Sequence, residues 1–151
     1  MRQPIIRIAC AAGMLLAAAI SAFAQTSTPV GLWQTIDDHT GQPKALVRIV
    51  AESDGTLSGK VVKGAGPEDQ PGRRCTACTG ARRNQPIVGM TIIDGMKQTE
   101  DGWDGGHILD PENGKTYRCK MRVEDGGRKL VVRGYIGVSL LGRSQTWNRQ
   151  P

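Results

Sequence analysis

Hydrophobic and polar residues alternate along most of the chain after residue 25, which is the pattern of β-strands with one buried face. The clearest example is 115–124, where Tyr117, Cys119 and Met121 alternate with arginine and lysine. No sustained run of apolar residues at helical spacing interrupts this pattern. Eight segments are therefore predicted to be strands: 30–37, 44–51, 57–63, 87–96, 103–109, 115–124, 129–137 and 143–149.

Short polar turns separate most of these segments. The stretch 110–114, Asp-Pro-Glu-Asn-Gly, is typical, because its proline suits the second position of a turn and its glycine accepts a positive φ. Such turns predict that consecutive strands pair antiparallel. Eight strands with one apolar face each can bury those faces by closing into a barrel, which also removes unpaired edges. We predict an all-β fold, a single antiparallel eight-stranded barrel, with a two-sheet sandwich as the alternative.

The first two dozen residues have a different pattern. Arg2 and Arg7 accompany an apolar run over 8–20, and Ala22-Phe23-Ala24 fits the small-x-small rule for signal cleavage. We predict a cleavable signal peptide over 1–24 and a single domain over 25–151 that works in the periplasm or is secreted. The apolar run is shorter than the roughly 20 residues of a spanning helix. A retained anchor is the alternative, and after cleavage the chain is not expected to be an integral membrane protein.

The chain is mildly basic. Its formal net charge is +6, and two of those charges, Arg2 and Arg7, would leave with the signal peptide. The remaining basic residues are spread along the chain. This balance favours contact with an anionic envelope surface such as lipid headgroups, whereas no nucleic-acid partner is expected outside the cytoplasm.

One long connection, over 64–86, breaks the rhythm of strands and turns. Connections of this length without secondary structure are uncommon in a compact domain and are often functional or mobile. Its arginines are candidates for bidentate contacts to a phosphate or an anionic headgroup, and the alternative is a solvated loop. These candidate ligand-binding residues are Arg73, Arg74, Arg82 and Arg83.

The same loop contains Cys75 and Cys78. In an oxidising compartment they are predicted to form a disulfide, which contributes roughly 2 kcal/mol because it closes a very small ring. A redox-active pair is one alternative, although no helix is predicted after Cys78 to lower a thiol pKa. A metal site is the other, but it would need His39, His107 and Cys119 to converge from separate strands. Cys119 lies on an apolar strand face, where an inert buried thiol is the commoner explanation.

Aromatic residues are few, and the tryptophans either pack in the core or stack on a ligand. The aromatic residues predicted to bind a ligand are Trp33, Trp103, Tyr117 and Tyr135. The sequence holds no Ser-His-Asp order, nucleophile elbow, phosphate loop or metalloprotease motif. We therefore predict no catalytic residue, no metal and no cofactor, and the balance is against an enzyme.

Several motifs, in order along the chain, resemble a bacterial domain-of-unknown-function family, number 2147. They are Gly31-Leu32-Trp33, the Cys75-x-x-Cys78 loop with 85–90, and the segments 106–117, 132–137 and 141–147. The resemblance implies a secreted, lipocalin-like (calycin-like) barrel with no established activity. The Gly31-x-Trp33 start is similar to a lipocalin pattern in which an arginine, here Arg143 or Arg149, packs over the tryptophan at the closed end.

These observations favour a non-enzymatic binding module that holds a small apolar or amphiphilic ligand in the barrel or at its mouth. Two alternatives stay open. One is a thiol–disulfide function at Cys75 and Cys78, and the other is an envelope interaction protein that uses the basic loop.

Overall fold

All eight predicted strands are present in the computed structural model, which describes residues 28–67 and 69–151. The signal peptide predicted over 1–24 lies outside the described residues. Within them no helix is long and apolar enough to cross a membrane. The strands are β1 (Gly31–Ile36), β2 (Pro43–Ala51), β3 (Leu57–Gly64), β4 (Thr91–Thr99), β5 (Gly102–Asp110), β6 (Lys115–Glu124), β7 (Lys129–Tyr135) and β8 (Gly142–Gln150).

The strands form one closed antiparallel barrel. Each pairs with the next along the chain, and β1 returns to β8 through pairs such as Trp33 with Arg149. Closure gives the backbone of both terminal strands a partner, so neither presents an unpaired edge. The predicted all-β, eight-stranded barrel is confirmed, and the alternative sandwich is not what forms.

The start of β4 differs from the prediction. Residues 87–90 were expected to be extended, but they form a turn in which the Met90 N–H donates to the Ile87 carbonyl at 3.0 Å. Gly89 has a φ of +93°, which lies outside the extended region of a regular strand. The turn is fixed to β3, because the Gly89 N–H donates to the Val61 carbonyl at 2.7 Å. The apolar residues Ile87 and Val88 therefore belong to the long loop.

The two ends of the barrel are built differently. The odd-numbered strands run toward one end, which carries the connections 37–42, 65–90, 111–114 and 136–141, and we call this the open end. The opposite end carries the short turns 52–56, 100–101 and 125–128 together with residues 28–30, and we call it the closed end.

Side chains fill the barrel near its closed end. Trp33, Ile49, Met96 and Leu130 have no exposed surface. The Trp33 indole donates to the Pro29 carbonyl at 2.6 Å, so its polar atom is satisfied inside the core. The arginine over Trp33 is Arg149, as in the lipocalin pattern, whereas Arg143 lies at the open end. The cavity inside the barrel lies toward the open end.

Candidate functional site

The half of the barrel near the open end contains a cavity of about 700 Å³. This volume lies within the range of roughly 300–1,000 Å³ that small-ligand sites occupy. Gly134 contributes to the space, because a Cβ atom there would meet Ile108 and Tyr117 at 3.4 Å and would point into the interior. The apolar walls include the inward-facing Val47, Val61, Ile108 and Val132 of β2, β3, β5 and β7, and the lining extends to Ile92 and Leu109.

Trp147 and Gln145 bring one polar group into this apolar space. The Trp147 Nε1 donates to the Gln145 Oε1 at 3.1 Å. Because an indole N–H can only donate, the amide oxygen must face Trp147 and the amide nitrogen must turn away from it. Among the described residues, that nitrogen has no hydrogen-bond acceptor. Gln145 therefore offers a free donor at the cavity wall.

Ion pairs lie along one side of the cavity mouth. The Lys44 Nζ lies 3.1 Å from an Asp37 carboxylate oxygen and 2.5 Å from a Glu112 carboxylate oxygen. Burial lowers the pKa of Lys44, but the two carboxylates outweigh burial and raise it above the ordinary value. The Thr40 N–H and Lys44 hold the pKa of Asp37 well below its usual range. Asp37 and Lys44 are therefore both charged at neutral pH.

A second ion pair lies beside the first. Arg143, at the start of β8, hydrogen-bonds through two nitrogens to Asp38, and one of those nitrogens lies 3.1 Å from His39 Nε2. The hydrogen bonds from Arg143 lower the pKa of Asp38. Opposite charges thus nearly balance around the mouth, whose charged lining residues are Asp37, Asp38, Asp69, Asp110 and Glu112 against Lys44, Lys63, Arg73 and Arg143.

Comparison with protein families assigns the chain to a known family. A family model described as "Uncharacterized protein conserved in bacteria (DUF2147)" matches residues 31–149, which covers the eight strands except the last residue of β8. The chain belongs to the DUF2147 family. The resemblance inferred from the sequence motifs is therefore confirmed.

A solved structure of another protein has the same architecture as this DUF2147 protein. It is described as "Protein HP1028 from the human pathogen Helicobacter pylori belongs to the lipocalin family". The two chains superpose with a TM-score of 0.71 at 18% sequence identity, over 83% of this chain and 85% of the other. At this identity the likeness establishes a lipocalin-like fold and nothing finer. No curated protein matches the chain.

In this DUF2147 barrel the aromatic residues predicted to bind a ligand are divided between the two ends. Trp33 is in the closed-end core and Trp103 lies at the start of β5 near the same end, so neither lines the cavity. Tyr117 does line it, and its hydroxyl accepts a hydrogen bond from Asn113 at 3.0 Å. The structure therefore brings one of these three predicted residues to the cavity.

Tyr135 contributes to the rim of the cavity, but its hydroxyl is engaged outside the barrel. It donates to Asp104 at 3.3 Å, and Asp104 also pairs with Lys120 at 3.2 Å. The Arg118 guanidinium lies 5.8 Å from the Tyr135 ring centroid. Since Arg118 and Lys120 occupy the charged face of β6, the Tyr135 ring packs on the outer surface.

Only Arg73 of the four predicted arginines lines the cavity. Arg74 donates to the Asn84 carbonyl at 3.0 Å and so braces the loop itself. Arg82 lies 3.7 Å from Asp94 on β4, and Arg83 is exposed. These positions do not form a single cationic cluster at the mouth.

The cysteine loop packs against the barrel. Cys75 and Cys78 are joined by a disulfide, with Cα atoms 5.3 Å apart, and are 0% and 3% exposed. The Cys75 sulfur lies 3.2 Å from the Pro111 carbonyl oxygen. Nearby, a Cβ atom at Gly114 would fall 2.0 Å from the Ala77 carbonyl oxygen, so the loop presses directly on the turn between β5 and β6.

Cys119 lies in the core and does not line the cavity. Burial raises the pKa of its thiol to about 12, so the reactive thiolate is scarce at neutral pH. Within 28–67 and 69–151, no three His, Cys, Asp or Glu side chains are grouped as a metal site requires.

Sequence reasoning did not single out Gln145 and Gly134, and it named Trp147 only as a residue for core packing or stacking. A signal was present, because Arg143, Gln145 and Trp147 share one face of β8 by strand alternation. That face begins polar at the mouth and becomes aromatic toward the core.

Proposed function

We propose that this DUF2147 protein is a non-enzymatic carrier or receptor that binds a small apolar or amphiphilic molecule in its open-end cavity. The observation that carries the proposal is the half-filled barrel, in which a cavity of about 700 Å³ with apolar walls opens between paired charges. At the ~30 Å³ that a water molecule occupies in the liquid, this volume accommodates roughly two dozen non-hydrogen atoms. A ligand of that size gains affinity mainly by burying apolar surface.

The lining supports a more specific ligand chemistry. Val47, Ile92 and Val132 suit an aliphatic or aromatic hydrocarbon portion. The free amide nitrogen of Gln145 suits an oxygen acceptor, such as the carbonyl, ester or hydroxyl of an amphiphile. Because the mouth is nearly balanced in charge, it suits a neutral or zwitterionic head better than an anion.

We further propose that the protein works in the periplasm or as a secreted protein. The signal-like residues 1–24 support this location, as does a disulfide of the kind that persists in oxidising compartments.

The two alternative functions have less support. Thiol–disulfide exchange needs an attacking thiolate to reach a sulfur atom, and both sulfurs belong to buried cysteines against the turn between β5 and β6. Docking through the arginines of the long loop is weakened because Arg82 already pairs with Asp94.

Fluorescence titration of the purified protein with N-phenyl-1-naphthylamine, a neutral apolar probe, tests the proposal. We expect saturable emission at one probe per chain, competition by a single-chain alcohol or a lysophospholipid, and a higher thermal midpoint with either competitor. Emission that rises without saturation, together with an unchanged midpoint for all three compounds, would rule out a ligand cavity of this kind.

A further inference from the structure

Exposed apolar side chains are concentrated around the cavity mouth. Among the described residues, eight large apolar side chains are exposed, and only Val30 and Val50 lie away from the open end. Such clustering on one part of a surface indicates an interaction site, whereas scattered single residues do not. The open-end residues, with their exposed fractions, are Val62 (39%), Val88 (52%), Ile136 (65%), Val138 (59%), Leu140 (88%) and Leu141 (76%).

Four of these residues lie in the six-residue connection between β7 and β8. We call Ile136, Val138, Leu140 and Leu141 the apolar lip. The backbone of this connection is held in place, because Arg133 donates to the Ser139 carbonyl at 2.7 Å and to the Leu140 carbonyl at 3.3 Å. The hydrogen bonds from Arg133 therefore fix the backbone of the loop, while its aliphatic side chains remain exposed to solvent.

The lip is continuous with the cavity. Ile136 and Leu141 line the cavity as well as the outer surface, and Val62 and Val88 line it too. Anything seated on the lip would therefore lie across the cavity opening.

The charge around the lip favours one occupant. No Asp or Glu occurs over 128–151, and Arg133 lies beside the lip with no carboxylate partner among the described residues, whereas Arg143 on the other side is paired with Asp38. Aliphatic side chains beside a guanidinium group that no carboxylate neutralises match a phospholipid interface, where apolar tips enter the acyl boundary and the cation stays among the phosphates. A second copy of the chain fits less well, since a symmetric contact through the lip would bring the Arg133 guanidinium groups of the two copies close together.

We propose that the open end docks on a phospholipid bilayer through the apolar lip, so that an amphiphile passes directly between the bilayer and the cavity. Docking stands on the lip alone, whereas passage rests on the proposed ligand-binding function. The two claims can therefore fail separately.

Vesicle flotation tests the docking. The purified protein is mixed with phosphatidylcholine vesicles, with or without phosphatidylglycerol. We expect flotation with both, more with phosphatidylglycerol, and a loss of about tenfold or more in partitioning for the Val138→Ser/Leu140→Ser variant. The Val30→Ser/Val50→Ser variant, which removes the two exposed valines away from the open end, should float like the parent.

Binding of N-phenyl-1-naphthylamine is measured on the same samples. Neither Val138 nor Leu140 lines the cavity, so the lip variant should bind the probe as the parent does. Probe binding without flotation of the parent would overturn the docking and leave the cavity proposal standing. Flotation of the parent without probe binding would overturn the cavity proposal and leave the docking standing.

Two further outcomes would overturn the docking. One is equal flotation of the lip variant and the parent. The other is a dimer in size-exclusion chromatography that the lip variant dissolves while neither protein floats, which would assign the lip to a second copy of the chain.

Discussion

The guanidinium carbon of Arg149 lies 4.2 Å from the ring centroid of Trp33 at the closed end of the barrel. Its nitrogens donate to the backbone carbonyls of Gly127 at 2.5 Å, Thr28 at 2.7 Å and Val30 at 2.9 Å. Burial lowers the pKa of Arg149, but the ordinary arginine pKa is so high that the group stays charged at neutral pH. One side chain thus ties the residues before β1 to the turn before β7.

We predict that Arg149→Lys destabilises the protein by about 2 kcal/mol in urea unfolding. Lysine keeps the charge but loses the planar fork, so it cannot stack on Trp33 and also reach three carbonyls. Affinity for N-phenyl-1-naphthylamine should not change in the folded variant, since Arg149 is distant from the cavity lining. Arg48→Lys, at an exposed position on β2, is the matched control. Weaker probe binding by fully folded Arg149→Lys would contradict the separation of the two ends.

Filling the cavity at Gly134 should reduce binding in steps. Its backbone φ is not in the left-handed region, and a Cβ atom would meet its neighbours at the ordinary contact distance of 3.4 Å. We expect Gly134→Ala to weaken probe binding slightly and Gly134→Val to weaken it about tenfold, because the added methyl groups occupy ligand space. Fluorescence titration measures the affinity and thermal unfolding measures the stability.

Gly106→Ala is the informative contrast. There a Cβ atom would fall 2.3 Å from the Asp94 carbonyl oxygen and 2.4 Å from the Met96 sulfur. This change should cost about 1–3 kcal/mol of stability through overpacking. Equal loss of stability in Gly134→Ala and Gly106→Ala would show that the site at Gly134 is packed and not open.

The sequence predicted the barrel well where local chemistry decides the structure. The bounds of β6 agree with prediction because its apolar and polar residues alternate and an Asp-Pro-Glu-Asn-Gly turn precedes it. The start of β4 was wrong because an apolar run over 87–90 is typical of a strand and of a buried loop alike. Only the contact of Gly89 with Val61, on a different strand, decides between them.

The cavity could not be predicted in the same way. Whether a barrel is filled depends on side-chain volumes summed over eight strands, and a small residue such as Gly134 opens space only where no bulky partner faces it. The orientation of Tyr135 could have been predicted from the sequence, because Leu130 and Val132 point inward and alternation then places Tyr135 outside. Residue type alone had suggested a ligand contact.

Removing the disulfide should loosen the long loop and leave the barrel intact. The Cys75→Ala/Cys78→Ala variant loses a small covalent ring and two buried side chains, and we expect a loss of about 2–3 kcal/mol. Hydrogen exchange should accelerate over 69–90 and at the turn 111–114, which the loop contacts. Exchange should be unchanged in β7 and β8, and faster exchange there would show that the disulfide supports the whole fold.

The ion pairs at the mouth should give stability a defined pH dependence. The pKa of Asp37 is lowered in the folded protein by the Thr40 N–H and Lys44, so its contribution is present above the unfolded pKa of about 3.9 and is lost as pH falls through the folded value. Asp37→Asn should therefore lower the thermal midpoint by a constant amount between about pH 7 and pH 5. The difference should shrink below about pH 4. A difference that grew on acidification would contradict the assigned pairing.

Gln145 should select ligands by their oxygen atoms. Its amide oxygen accepts from the Trp147 indole, which fixes the amide so that its nitrogen, a donor, faces away from Trp147. We predict that Gln145→Met, which has similar length and an apolar wall surface, weakens binding of a single-chain alcohol about fivefold to tenfold while binding of N-phenyl-1-naphthylamine changes little. The variant should also lose about 1–2 kcal/mol of stability, because the buried indole N–H loses its acceptor. Competition titrations give the ratio of the two affinities, which is independent of how much protein is folded. An unchanged ratio would mean that the amide faces no ligand, and recognition would then depend on shape and apolar contact alone.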